Sequence, residues 1–292
     1  MAQRALRASA LTEQETSVTE DLDEILEGLS RRQKAISPKF FYDEHGSRLF
    51  DAICELPEYY LTRTELAIMR EHIGDIAALV GPQASVIEFG SGSSLKTRML
   101  LENLDRLAAY VPVDISREYL MQAADSIAVR YPDIEVWPVL ADFMQPFELP
   151  NPTVMPLRNI VYFPGSTIGN FLPDAAHRLL QVMYQEAGED GALLIGVDLQ
   201  KDKKIIGRAY NDSAGITAEF NLNILARINR DFGANFNLDL FHHHSFYNEE
   251  HGRIELYLIS EREQTVCIDD RSINFQKGEA ILTEYSHKYG LQ

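Results

Sequence analysis

The chain has 292 residues, 45% of them hydrophobic and 24% charged, with a formal net charge of -17. That length suits one large α/β domain, or one domain with a smaller partner. The acid excess argues against nucleic acid or an anionic membrane as the main partner, since phosphate is neutralised by clustered Lys and Arg, and no stretch approaches the roughly 20 apolar residues of a membrane span.

Residues 1–20 are polar, lack the apolar core of a secretory signal and are expected to form a flexible N-terminus. Asp21 to Leu29 reads as a short helix. Ser37 to Phe50 is dense in aromatics (Phe40, Phe41, Tyr42, Phe50), and a second aromatic loop follows at Leu56-Pro57-Glu58-Tyr59-Tyr60. Thr62 or Thr64 is the expected cap of a helix running through Arg70 to Val80. From Ser85 the pattern alternates. Strands are expected at Ser85–Phe89, Ala109–Val113, Glu135–Val139, Asn159–Phe163 and Ala192–Val197, with helices at Leu95–Leu107, Arg117–Arg130 and Asp174–Ala187 between them. Such alternation predicts an α/β fold with a doubly wound, Rossmann-like parallel sheet, and ligands in such sheets bind beyond the carboxyl ends of the strands.

After Asp198 the pattern changes again. Lys201-Asp202-Lys203-Lys204 reads as a solvated helix start, and Thr217–Asp231 as an amphipathic helix with Phe220, Ile224, Leu225 and Ile228 on one face. Phe241–Tyr247 and Arg253–Ile259 alternate like paired strands, Thr265–Ile268 and Ser272–Phe275 like a hairpin, and Leu282–His287 like a last strand. This is antiparallel material, expected to form a second, smaller α+β domain. His242-His243-His244 invites a metal reading, but in a strand only His242 and His244 share a face and no third ligand is at hand, so no metal is expected. Cys54 and Cys267 form no metal motif and read as free thiols of a reducing cytoplasm.

The run Val86-Ile87-Glu88-Phe89-Gly90-Ser91-Gly92-Ser93-Ser94-Leu95-Lys96-Thr97 carries the chemistry. It reads as a buried strand, a glycine turn and a helix start, the unit that holds a nucleotide-like cofactor against backbone. The third glycine of the dinucleotide fingerprint is missing, which disfavours NAD. Asp114 ends the second strand, 24 residues after Gly90, where a carboxylate can accept both ribose hydroxyls. Asp142-Phe143 ends the third, suiting the amine edge and the face of adenine. Taken singly, the acids Glu88 and Asp114 are ordinary solvated strand ends; as an ordered set they resemble the S-adenosylmethionine-dependent methyltransferases.

A narrower resemblance rests on longer motifs. Lys39-Phe40-Phe41-Tyr42-Asp43, Gly46-Ser47-Arg48-Leu49-Phe50-Asp51, Leu56 to Tyr60, Glu88 to Ser93 with Lys96-Thr97-Arg98, and Gly165-Ser166-Thr167-Ile168-Gly169-Asn170 are similar to the histidine-specific methyltransferase family. So are Ala209-Tyr210, Gly215-Ile216-Thr217-Ala218 and Leu282-Thr283-Glu284-Tyr285-Ser286. The resemblance runs from about Ser37 to the last residues. It implies methylation of the α-amino group of L-histidine, up to the trimethylated betaine hercynine of ergothioneine biosynthesis, with S-adenosyl-L-methionine as methyl donor. Gly90, Lys96, Asp114, Asp142 and Phe143 would hold that donor. Asn170 and Tyr210 would hold the substrate's carboxylate and amine, with Gly165 nearby; Tyr59, Glu284 and Ser286 would bind the imidazole, and Tyr42 would lie near the amine. No residue is assigned as acid or base. Leu256 stands where histidine enzymes of the family can have Met.

The expected organisation is a substrate-binding domain of residues 21–63 and 198–286 and a methyltransferase domain of residues 64–197 with 287–292. Beyond Gln292 the family continues with a helix and two more strands, so five core strands and an unpaired sheet edge are expected here. The expected partner is a small molecule, and the expected state a cytoplasmic monomer. A methyltransferase of another amino acid or small amine, and a truncated non-catalytic binding form, are the alternatives.

Overall fold

The structure is a computed structural model that describes residues 12–13, 18–91 and 95–291, and the elements below are those of the described residues. In chain order they begin with β1 (Thr12–Glu13), α1 (Val18–Ser30), β2 (Lys34–Ala35), α2 (Glu44–Glu55), α3 (Tyr60–Val80), β3 (Ala84–Phe89), α4 (Leu95–Asn103) and β4 (Ala109–Asp114). There follow α5 (Arg117–Arg130), β5 (Glu135–Val136), β6 (Val139–Leu140), β7 (Arg158–Phe163), α6 (Pro173–Ala187), β8 (Ala192–Ile195), α7 (Lys203–Ala209) and α8 (Ile216–Phe232). The remainder is strand: β9 (Phe241–Asn248), β10 (Arg253–Ser260), β11 (Gln264–Ile268), β12 (Arg271–Phe275) and β13 (Ala280–His287). The chain divides into two compact units.

The first unit comprises Met1–Glu15, Arg63–Ile168 and Leu172–Val197. Its sheet is parallel, in the order β1-β6-β4-β3-β7-β8 with β5 also on β4. Every residue of β3 is buried, as a strand covered on both faces requires; that is why Ser85–Phe89 reads as a continuous run rather than an alternation. From β3 the chain steps outward to β4 and β6, then returns to β7 on the other side of β3. The winding therefore reverses between β3 and β7, and the carboxyl ends there carry Gly90 and Gly165. The strand expected at Glu135–Val139 is broken into β5 and β6, because Pro138 has no N–H to give to a ladder. The strand expected to reach Val197 stops at Ile195. The helix expected to reach Leu107 stops at Asn103, and the turn behind it needs a left-handed Arg106 with φ of 49°.

Other expectations are corrected. Thr62 and Thr64 cap nothing: α3 begins at Tyr60, directly behind a turn closed by bonds from Tyr59 N–H to Leu56 O and from Tyr60 N–H to Glu58 O. Within the stretch expected to be flexible, Thr12–Glu13 pairs in parallel with Val139 and Leu140; the rest of residues 1–17 lies outside the described residues.

The second unit comprises Thr16–Thr62, Gly169–Phe171 and Asp198–Gln292. Residues 287–292, expected with the methyltransferase portion, fall here, tied by Lys288 N–H to Gly252 O and by Tyr289 N–H to Asp198 O, each at 2.8 Å. Its four-stranded sheet runs β2-β13-β10-β9, with a separate β11–β12 hairpin. The aromatic-rich segment forms its core: Phe41 stacks on Phe220 of α8 with ring centroids 4.6 Å apart, beside Phe40, Ile53, Tyr59, Ile224 and Leu256. Burying one such side chain stabilises the fold by about 1.5–3 kcal/mol. Asp43 caps α2 by accepting from Gly46 N–H at 2.7 Å, and also takes Asn223 Nδ2 at 2.9 Å and the Arg230 guanidinium at 2.8 Å. Burial opposes its charge, yet these partners hold its carboxyl below the usual range.

Gly46 gives a sharp test of this packing. A Cβ there would lie 1.8 Å from the Phe41 carbonyl oxygen, whereas one on Gly74 in α3 would meet nothing within 4 Å. Gly46→Ala is expected to lower the unfolding free energy by about 1–3 kcal/mol, and Gly74→Ala to raise it by about 0.5–1 kcal/mol, both measured by urea denaturation.

Candidate active site

In the first unit the residues expected to hold the methyl donor gather at the carboxyl ends of β3, β4 and β6. Gly90 has φ of 76°, a conformation that a Cβ disfavours, and its N–H donates to Val113 O at 2.8 Å. Its missing side chain faces the Phe143 ring, 4.0 Å from where a Cβ would sit. Phe143 in turn packs against Phe89 and Phe163, at 5.5 and 5.9 Å between centroids. Asp114 accepts Ser91 N–H on one oxygen at 3.0 Å and Ser116 N–H on the other at 2.9 Å. Ser91 Oγ also reaches it at 3.5 Å and the Ile115 N–H bonds it, so these local donors fix the carboxylate's orientation at the strand end, where a ribose hydroxyl would meet it. Burial raises its pKa against the pull of these amides. Asp142 takes Met144 N–H at 2.9 Å. Gly92, Ser93 and Ser94 of the turn lie outside the described residues. A glycine that exposes backbone, two strand-end carboxylates and an aromatic face fit a nucleoside with a ribose diol and an exocyclic amine.

Lys96 projects from α4, and its Nζ pairs with Glu65 Oε2 at 2.7 Å. Glu65 also accepts Gly165 N–H, 3.0 Å from each carboxylate oxygen, so one side chain fixes both the lysine and the turn after β7. In that turn Gly165 and Ser166 are both left-handed, with φ of 79° and 61°. Glu88 is not the solvated strand end of the plainer reading. It is buried, accepting Thr97 Oγ1 at 2.7 and 2.9 Å and Tyr110 Oη at 2.5 Å. Burial pushes its pKa to about 7, although both hydroxyls and Lys96 favour the charged form.

The second unit assembles the other predicted residues. Asn170 donates from Nδ2 to Glu284 Oε1 at 2.8 Å, and Tyr210 Oη lies 2.7 Å from Ser286 Oγ. Glu284 and Ser286 share one face of β13, as their spacing predicts. Just before them β13 and β10 slip register: Leu256 opposes Glu284 while Tyr257 opposes Leu282, which leaves Thr283 as the extra residue of a bulge. Bulges of this kind re-aim side chains beside sites. Glu284 is pushed to about 8 by burial, with Lys288 pulling weakly the other way. The backbone of Tyr210 is pinned, its carbonyl accepting from Ser245 Oγ at 2.9 Å and His243 Nε2 at 3.0 Å. Since a carbonyl only accepts, the proton of His243 sits on Nε2, and its Nδ1 accepts from Asn221 Nδ2 at 2.9 Å. Tyr59 meets Tyr210 edge to face at 6.1 Å and Phe50 at 6.3 Å, and Tyr42 meets Phe50 at 5.9 Å.

Thus Tyr42, Tyr59, Asn170, Tyr210, Glu284 and Ser286 belong to the second unit, and Gly165 to the first, beside Lys96. His242 pairs with Glu261 and His244 packs on Phe246; no group of three metal-ligating side chains occurs among the described residues. Sequence reasoning missed Glu65, Tyr60, Asp198, Lys201 and Lys288. Lys288 had a signal, lying two residues past Ser286 and four past Glu284. Asp198, just beyond β8, has Lys288 Nζ at 3.1 Å, Tyr60 Oη at 2.5 Å and Lys201 against it.

A parallel, doubly wound sheet with acids ending successive strands beside a glycine turn defines an S-adenosylmethionine-dependent methyltransferase of Rossmann-like fold. The chain belongs to the family of histidine-specific, SAM-dependent methyltransferases, whose pattern matches residues 21–292. It is 40% identical over 268 residues to histidine N-alpha-methyltransferase of Mycolicibacterium smegmatis, spanning 90% of this chain and 82% of that protein. The Mycobacterium tuberculosis protein of the same name is 38% identical over 272 residues, 91% of this chain and 83% of that one. Ergothioneine biosynthesis protein 1 of Schizosaccharomyces pombe is 30% identical over 263 residues, 85% of this chain but 33% of that protein.

Glu88 makes a pH prediction. With its pKa raised from the ordinary 4.5 to about 7, the folded protein keeps, in that window, a proton the unfolded chain has lost. Raising the pH through the window therefore costs stability. Glu88→Gln has no such proton to release, so it should gain stability relative to wild type between about pH 5 and pH 8, as read from paired urea melts. A constant difference would mean that Glu88 titrates normally.

Proposed function

We infer that this chain transfers methyl groups from S-adenosyl-L-methionine to the α-amino nitrogen of L-histidine, up to the trimethylated product hercynine, in ergothioneine biosynthesis. The observation that carries the reading is the family match over residues 21–292. Its named relatives support the choice of histidine.

In this reading Gly90, Asp114, Asp142 and Phe143 hold the nucleoside of the donor, and Lys96 its charged end. The donor supplies a methyl group on a sulfonium, which makes the transfer an in-line displacement. What the protein adds is position. Asn170 and Tyr210 hold the amino acid's backbone groups, and Tyr42 sits near the amine. Tyr59, Glu284 and Ser286 take the imidazole. Glu284, with its pKa raised to about 8, is mostly neutral at pH 7, so it has one O–H to give and lone pairs with which to accept a ring N–H. Leu256, buried and opposite Glu284 on the neighbouring strand, would present apolar surface beside the ring. An α-amine with pKa of about 8 loses its proton readily, so alignment rather than a strong base supplies the rate. The setting we propose is a cytoplasmic monomer acting on free amino acid; the two cysteines, which form no disulfide, support a reducing compartment.

Incubation with S-adenosylmethionine and a panel of amino acids, followed by mass spectrometry, is expected to show one to three added methyl groups on histidine. No gain on histidine from a folded chain overturns the reading. Glu284→Ala is expected to lower kcat/KM for histidine by about 100-fold or more while other amino acids change little, because a buried polar partner of the ring is lost. Unchanged selectivity would remove Glu284 from the imidazole site.

A further inference from the structure

The second unit buries an ammonium that none of the expected roles uses. The side chain of Lys288 is fully buried. Its three N–H donors have three acceptors: Tyr210 Oη at 2.8 Å, Ser286 Oγ at 2.8 Å and Asp198 Oδ2 at 3.1 Å. Burial works to discharge the lysine, but Tyr210 and Asp198 outweigh it and its pKa is raised, so it stays charged. Besides Asp198, it gives its two other donors to the two hydroxyls that reach each other at 2.7 Å.

Proton counting shows what that does. Tyr210 and Ser286 have one proton each, and one of the two is used in their mutual bond. Because Lys288 already occupies a lone pair on both oxygens, whichever way that bond points one O–H is left over, beside a buried positive charge. Asp198 does not cancel the charge: Lys201 also sits on that carboxylate, so the three groups sum to one positive charge. An O–H donor in a positive field suits an anionic acceptor.

We propose that Lys288 is a positioning residue for the substrate carboxylate: with Ser286 donating to Tyr210, the Tyr210 O–H is the one left to donate to that carboxylate, which selects amino acids over the corresponding amines. The proposal rests on the amino-acid methyltransferase reading above.

The test compares amino acids with their decarboxylated amines: histidine with histamine, tryptophan with tryptamine, phenylalanine with phenethylamine. Binding is measured by calorimetry on the full chain with S-adenosylhomocysteine present, so that no turnover intervenes. Lys288→Met is expected to cut the preference for the carboxylated member by about 10- to 100-fold, with S-adenosylhomocysteine affinity unchanged within about twofold and Lys288→Arg restoring part of the preference. Should Lys288→Met fold poorly, the double variant Asp198→Asn with Lys288→Met removes both charges and carries the same expectation. An unchanged preference in a folded variant, or equal weakening of both members, overturns the proposal. If wild type binds tryptophan or phenylalanine but not histidine, the histidine assignment fails alone, and Lys288 is judged on the pair that binds.

Discussion

A buried carboxylate must be partnered or must take up a proton, and this requirement organises both units. Desolvation of a charge costs several kcal/mol, which only good geometry repays. Glu88 and Glu284 meet it by drifting toward neutrality, their pKa values pushed to about 7 and about 8. Asp198 meets it with charge: burial opposes it, but Lys288 and Lys201 hold its pKa low. Asp43 meets it with a helix N-terminus and Arg230. The choice follows placement. Glu88 lies inside the β3–β4 layer, where the Thr97 and Tyr110 hydroxyls reach it; Asp198 lies just past β8, where two lysines converge.

Backbone geometry does the rest of the positioning. Gly90 and Gly165 stand at the carboxyl ends of the strands on either side of the winding reversal, both left-handed. Their positive φ, rather than lack of room, favours glycine: an added Cβ would make only ordinary contact, with the Phe143 ring at 4.0 Å in one case and the Lys96 ammonium at 3.4 Å in the other. On β13 the same end is reached without glycine. The bulge at Thr283 shifts register by one residue, and the extra residue is tied down by its own hydroxyl to Leu256 O at 3.2 Å. Side chains before and after a bulge no longer obey one alternation, so Glu284, Ser286 and Lys288 can face inward together although Leu282 pairs in a different phase.

These devices mark where sequence reading succeeds and where it stops. Strands β3, β4 and β7 were legible because burial on both faces demands continuous apolar runs, and α5 because its period and ends agree. The break at Pro138 is legible in principle, since a residue with no N–H cannot continue a ladder. The glycine turn with Asp114 and Asp142 was legible as an ordered set. The bond from Asn170 to Glu284 was not, because 114 residues separate them and nothing local in either segment names the other. Glu88 shows a different limit: an acid at a strand end looks the same in sequence whether it meets water or a buried tyrosine. Lys288 was missed for want of extending the alternation of Glu284 and Ser286 by one more step.

If Glu284 reads the imidazole as proposed, its raised pKa also bears on what the second unit would discriminate. A charged carboxylate beside an imidazole would favour the protonated ring and would welcome any cation. A mostly neutral carboxyl, already accepting from the Asn170 amide, instead has an O–H to give, which would suit the bare nitrogen of a neutral imidazole while another group takes the ring N–H. A lysine or arginine side chain only gives, and a phenylalanine ring does neither. Each leaves a buried polar group unpaired, at about 1–3 kcal/mol per group, which is roughly 5- to 150-fold in affinity. Selectivity of that kind would need no close steric fit, and on the proposed role it would weaken as the pH rises through about 8 and Glu284 becomes charged.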